Sequence, residues 1–200
     1  MRIVLASASP RRQALLAALG LAFEVIVSDA REIFEGTPAD IVVVNARAKR
    51  DDVVRWLDAP ALVIAADTLV FLGEHVLGKP ADSAEACAML SRLSGNTHQV
   101  LTGISILDTH TGKSAEGFES TDVTFRALTH AEIQRFVHSV NPVDRAGAYT
   151  VDGPGSLLVA RYAGCYQNVL GLPIVRLDLL LREIGYSLFD LMDPSRCTFL

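Results

Sequence analysis

The chain has 200 residues, of which 50% are hydrophobic and 20% charged, and its formal net charge is −5. That apolar content is enough for a real core and excludes a disordered chain, while the acidic balance excludes the domain-wide basic field that non-specific nucleic-acid binding needs. No run reaches the roughly 20 apolar residues of a membrane-spanning helix, and the apolar start of MRIVLASASPRR stops too early for a secretory leader, so a soluble cytoplasmic protein is expected.

The elements follow in chain order. Arg2 to Ala6 is an apolar run that predicts a buried strand. In SASPRRQALLAALG, Ser9 suits an N-cap, Pro10 the first helical position and Gly20 the stop, so a helix is predicted between them. FEVIV, residues 23–27, is β-branched and predicts a second strand. After the polar stretch SDAREIFEGTP, Thr37 and Pro38 open a helix running to about Leu57, with Asp40 placed as a capping-box acid.

ALVIAADTLVFL, residues 61–72, is too apolar for a surface strand and predicts a central one, with a turn at Gly73 and Glu74 into HVLGKP. ADSAEACAMLSRLSG predicts a helix stopped by Gly95, and HQVLTGISIL a strand. A turn at Thr111–Lys113 leads to a strand within FESTDVTFRAL, and THAEIQRFVHSV carries a capping box of Thr129 and Glu132 on an amphipathic helix. AGAYTVDGPGS reads as a glycine-rich loop, LLVARY as a strand, the segment through Asn168 as a loop, and Pro173 to Glu183 as a last helix. Strands and helices alternate, which predicts an α/β protein with a mixed sheet.

The standard nucleotide signatures are missing, since the chain has neither GxxxxGK[ST] nor GxGxxG after a strand. Cys87, Cys165 and Cys197 are widely spaced without paired histidines, and the five histidines show no HxxxH or HExxH spacing, so neither a zinc site nor a disulfide framework is expected. No GxSxG elbow supports a nucleophilic serine.

The informative residues are polar groups in costly places. Asp67 stands inside AADTLVFL, where an ionised carboxylate needs a cation, a metal or several donors; it is either an acid capping a strand end or a catalytic or metal-binding group. Thr68 beside it carries less information, since threonine is at home in strands. Lys79, between Gly78 and Pro80, is a surface lysine or an aimed ammonium, which a hairpin from Thr68 would bring back toward Asp67. Lys49 in NARAKRDD reads alone as part of a solvated helix face, and Glu32 is a loop acid without its own signal. Arg11 and Arg12 run against the helix dipole at the N-terminal turn, beside Ser7 and Ser9. They form a surface pair, a proline-directed phosphorylation site at SPRR, or a site for a phosphate chain. Read together with Asp67, Lys79 and Lys49, the third alternative gains weight, because these are the parts needed around a magnesium-bound triphosphate.

At this point the sequence resembles the Maf family of nucleoside triphosphate pyrophosphatases. The resemblance rests on LASASPRRQALL, the acid of SDARE at Glu32, the helical Lys49, AADTLVFLGEHVLGKP, MLSRLSGNTHQVLTG, VTFRALTHAEI, DRAGAY and NVLGLPI, in that order along nearly the whole chain. It implies a single Maf-like domain over residues 1–200, with an elongated mixed sheet and flanking helices related to inosine triphosphatases, two lobes around a cleft, and commonly a homodimer. It further implies hydrolysis of the α–β phosphoanhydride of a nucleoside triphosphate to nucleoside monophosphate and pyrophosphate. The implied cofactor is a divalent metal, usually magnesium, with manganese as the alternative.

Residue by residue, the resemblance makes Asp67 the proton acceptor that activates water, and Ser7, Arg12, Lys49 and Lys79 phosphate-binding positions. Glu32 and Asp67 fall near the metal, and Arg11, Thr68 and Asp152 fall on base-selecting positions. Arg11 and Thr68 match the branch acting on dTTP, UTP and modified pyrimidine nucleotides. Asp152 departs from it, standing in AGAYTVDG where that branch has glutamine; an aspartate accepts from a base N–H but cannot donate to a base carbonyl. Ala48 before Lys49, and Arg145 where lysine is usual, are smaller departures. The alternatives are a 7-methyl-GTP pyrophosphatase and a non-catalytic nucleotide-binding regulator of cell division.

Overall fold

The computed structural model describes residues 1–198. In chain order the elements are β1 (Ile3–Leu5), α1 (Pro10–Ala18), β2 (Glu24–Val25), α2 (Pro38–Val54), β3 (Leu62–Leu72), β4 (His75–Leu77), α3 (Ser83–Leu93), β5 (Thr97–Asp108), β6 (Ser114–Phe125), α4 (His130–Val140), β7 (Val159–Ala163), α5 (Tyr166–Leu170), α6 (Ile174–Glu183) and α7 (Leu188–Leu191), with three short 3-10 segments between α4 and β7. The strands hydrogen-bond in the order β2-β1-β3-β5-β6-β7, with β4 beside β3. β1 runs parallel to β2 and β3, whereas β4 and β7 are antiparallel to their neighbours, so the predicted mixed α/β sheet is present.

The chain divides into two compact units. The first comprises Met1–Asp67, Thr102–Glu119 and the chain from Gly171 on. In it Val4 lies opposite Glu24 on one side and Val63 on the other, and Val4, Ala6, Val53, Ala61, Val63 and Ala65 form a buried cluster. The continuous apolar runs of β1 and β3 reflect strands covered on both faces. Both helix starts form as read: Ser9 Oγ accepts from the Arg12 N–H with Pro10 behind it, and Thr37 Oγ1 accepts from the Asp40 N–H with Pro38 behind it. The Asp40 carboxylate takes the Thr37 hydroxyl at 2.6 Å, a variation on the capping box.

α2 lies so close on β5 that a Cβ at Gly103 would overlap the Val42 carbonyl, which only glycine avoids. The first unit departs from expectation at β2, which is two residues long where five were predicted. One further rung follows, from the Ile26 N–H to the Leu5 carbonyl, while Val25 and Val27 remain exposed. An edge strand has only one neighbour to pair with, so a β-branched run there does not guarantee a long ladder.

The second unit comprises Thr68–Leu101 and Ser120–Leu170. Its β3–β4 hairpin pairs Val70 with Leu77 and Leu72 with His75, turning at Gly73 with φ 61°. α3 is capped by Asp82, and α4 carries the complete Thr129–Glu132 capping box. Leu90, Leu93, Val100, Val123, Phe125 and Phe136 belong to its core. The segment through Asn168 is the short helix α5 and not a loop. The buried Asn168 amide donates to the Val100 carbonyl at 2.8 Å and to Thr121 Oγ1 at 2.9 Å, tertiary bonds that local sequence does not announce.

Candidate functional site

α2 carries three polar side chains at positions 45, 49 and 52, spaced i, i+4 and i+7, and therefore on one face. Asn45 is 1% exposed, and Lys49 is mostly buried. The Lys49 ammonium lies 2.5 Å from Asp67 Oδ1 and 2.7 Å from Glu32 Oε1, bridging the two carboxylates. Asp67 itself is 3% exposed at the end of the apolar half of β3. A carboxylate so far from water is stabilised only by pairing, which Lys49 provides.

Asn45 completes the arrangement. Its Nδ2 donates to Asp67 Oδ2 at 3.0 Å and to the Ile33 carbonyl at 3.0 Å, while its Oδ1 accepts from the Ile33 N–H at 2.8 Å. Polar contacts over two turns of α2 then tie it to the loop bearing Glu32, because Asp52 accepts from Ser28 Oγ and the Asp29 N–H, each at 2.9 Å. Hydrogen bonds from Arg55, Ser28 and the Asp29 N–H hold the Asp52 carboxyl below the usual range.

The helix is itself anchored behind this face. Arg50 Nη1 donates to Ser105 Oγ at 2.8 Å and lies 2.9 Å from Glu116 Oε1, and Arg47 pairs with Glu116. Burial alone would raise the Glu116 carboxyl, but hydrogen bonds from Arg47 and Ser105, with the Arg47 and Arg50 charges, bring it below its ordinary value. α2 thus presents Lys49 from a fixed position.

At the N-terminus of α1, Arg12 is buried. Its Nε donates to the Gly171 carbonyl at 2.8 Å and its Nη1 to Ser7 Oγ at 2.9 Å. Burial lowers the Arg12 pKa; the Asp67 and Glu32 charges oppose that and the neighbouring Arg11 charge adds to it. The Asp67 and Glu32 carboxylates thus act on the Arg12 guanidinium. Ser7, Arg11, Arg12, Glu32, Lys49 and Asp67 all belong to the first unit.

Thr68, Lys79 and Asp152 belong to the second unit. Two residues beyond the Val70–Leu77 pair, Thr68 and Lys79 occupy matching positions of the hairpin register. Lys79 is exposed, and the preceding Gly78 carbonyl accepts from the Gly147 N–H at 3.0 Å, which ties the GKP turn to the DRAGAY segment. Asp152 is exposed, accepts from the Thr150 hydroxyl, and precedes the Gly153–Leu157 3-10 segment.

Among the described residues no three His, Cys, Asp or Glu side chains converge. Glu32 and Asp67 do share one cation, Lys49. Two hard carboxylate donors fit magnesium, which takes one or two carboxylates and fills its remaining positions with water and phosphate oxygens.

Asn45 is the residue that sequence reading passes over. Its signal is a neutral amide at the buried positions of a helix, among Ile41, Val42, Ala46 and Val53, four residues before a lysine. A buried amide must find partners.

Comparison with known proteins places the chain in a family. The family model described as Maf-like protein matches residues 2–184. The dTTP/UTP pyrophosphatase of Desulforamulus reducens is 44% identical over 187 residues, covering 93% of this chain and 98% of that protein. The dTTP/UTP pyrophosphatase of Deinococcus radiodurans is 44% identical over 189 residues, covering 94% and 95%. Among solved structures, the Ham1 protein of Staphylococcus aureus aligns at a TM-score of 0.44 and 17% identity over 62% of this chain and 72% of that one, a likeness too slight to weigh. With nearly its full length matched by the family model and by relatives of this identity, the chain belongs to the Maf family.

Proposed function

We propose that this protein is a nucleoside triphosphate pyrophosphatase acting on dTTP, UTP or modified pyrimidine nucleotides. The observation that carries the reading is the buried Asp67 carboxylate, held by Lys49 on one oxygen and Asn45 on the other. A carboxylate has about four lone-pair sites, so each oxygen keeps one for a water proton. The names of the relatives, dTTP/UTP pyrophosphatase, support the substrate class.

In the proposed step a water oxygen bonds to the α-phosphorus as its proton passes to Asp67. The bond from the α-phosphorus to the bridging oxygen breaks, and its electron pair leaves with pyrophosphate. Lys49 and Arg12 offset the charge on the phosphates, and the fixed carboxylate orients the water. Glu32 and Asp67 would hold a magnesium ion, which would supply further charge neutralisation and make water more acidic. On the family resemblance Ser7 and Lys79 also bind phosphate, while Arg11, Thr68 and Asp152 select the base. The 1–200 chain acts as a single Maf-like domain on this reading.

The test is pyrophosphate release from a panel of triphosphates with magnesium, with and without a chelator. UTP and dTTP should lead. 7-Methyl-GTP far ahead of them would transfer the protein to the other branch, and tight binding without release would make it a regulator. Asp67→Asn retaining near wild-type release would remove Asp67 from the reaction.

A further inference from the structure

We propose that Asn45 is a positioning residue for hydrolysis, acting through Asp67 and through the main chain of Ile33. The inference rests on the proposed role of Asp67. The orientation of the Asn45 amide is set by one peptide unit: its oxygen faces the Ile33 N–H at 2.8 Å and its nitrogen faces the Ile33 carbonyl at 3.0 Å. A flipped amide would set donor against donor and acceptor against acceptor. The second proton of Nδ2 is thereby directed at Asp67 Oδ2, 3.0 Å away.

Two results follow from this geometry. Oδ2 is held as an acceptor by a neutral donor, while Oδ1 takes the Lys49 ammonium, so the plane of the Asp67 carboxylate is defined at both ends. The same amide fixes the residue next to Glu32, whose carboxylate meets the other side of Lys49. One side chain on α2 therefore couples the position of the loop acid to that of the strand acid. A lysine alone could not do this, since an ammonium on a flexible stem attracts both carboxylates without orienting either.

Asn45→Leu keeps the branching at Cγ and removes all three hydrogen bonds. The expected result is a kcat at least tenfold lower with KM within threefold of wild type, at the same circular dichroism spectrum. The Asp67→Asn variant separates this inference from the reading it rests on. If Asp67→Asn loses activity while Asn45→Leu keeps wild-type kcat, the positioning role is overturned and the role of Asp67 stands. In the double variant the Asn45→Leu loss should shrink by at least threefold relative to its loss alone; independent, multiplicative losses would mark Asn45 as merely structural.

A measurement on the unaltered enzyme covers the case in which Asn45→Leu does not fold. The Ile33 amide should exchange with solvent at least a hundredfold more slowly than a free loop amide, although the residue is 42% exposed. Exchange at the free rate would overturn the clamp.

Discussion

In the first unit Asp67, 3% exposed, has an ammonium on one oxygen and an amide on the other, whereas in the second unit His98, 1% exposed, meets a phenol and two aromatic ring edges. His98 Nε2 lies 2.6 Å from the Tyr149 hydroxyl, and its buried Nδ1 has no hydrogen-bond partner among the described residues. Burial pushes the imidazole down to about 4 and the Tyr149 phenol well above its usual value. The second unit therefore keeps its buried polar pair neutral, while the first surrounds a buried carboxylate with donors. Charge is retained where Lys49 compensates it, and excluded where a neutral phenol and aromatic edges surround the group.

The difference can be broken from either side. Asp67→Asn has the largest expected effect: pyrophosphate release should fall by about 10²–10⁴, the range for losing a general base, and stability should fall as well, because the new amide NH2 faces either the Lys49 ammonium or the Asn45 Nδ2 donor. Equal losses in binding and turnover would point to collapse of the site. Next comes Gly103→Ala, whose Cβ would meet the Val42 carbonyl and push α2 off β5. Backbone overlap of this kind costs about 3 kcal/mol, read as a lower denaturation midpoint, and activity should fall with it because Asn45 and Lys49 ride on α2.

His98 supplies the third test. Its folded-state value is below the unfolded one, so the unfolded chain binds the proton first as pH falls. Stability should be complete above about 6.5 and decline toward about 4, by at most about 3 kcal/mol, a slope that denaturant titration between those limits would measure. His98→Gln should flatten it; an unchanged slope would place the acid sensitivity elsewhere. The smallest effect belongs to Tyr149→Phe, which keeps the ring packed on Phe125 at 4.9 Å and removes the hydroxyl. About 1 kcal/mol should be lost, and no loss at all would mean that His98 finds another partner.

Both units show the same division between what was legible and what was not. The starts of α1, α2 and α4 could be placed from Ser9–Pro10, Thr37–Pro38 and Thr129–Glu132, because a cap bonds only three residues ahead. The central strand around Asp67 was legible from its apolar run, and Asp67 from its contradiction of that run. α5 was not, since Asn168 is held by Val100 and Thr121, which lie far away in the chain. The five-residue expectation for β2 failed because strand length depends on the neighbour as well as on the side chains.

For the site, the sequence marked Asp67 by its apolar surroundings and the guanidiniums by their place at a helix start, whereas Lys49 gained weight only in combination with them and Glu32 only through the family resemblance. Tertiary structure decided their relations. Lys49 bridges Glu32 and Asp67, Arg12 reaches the Gly171 carbonyl across 159 residues of chain, and Asn45 joins a loop to a strand. Caps and periodic patterns arise from neighbours a few bonds apart and can be read locally. The orientation of a buried carboxylate depends on donors brought from distant segments, and only the folded chain supplies them.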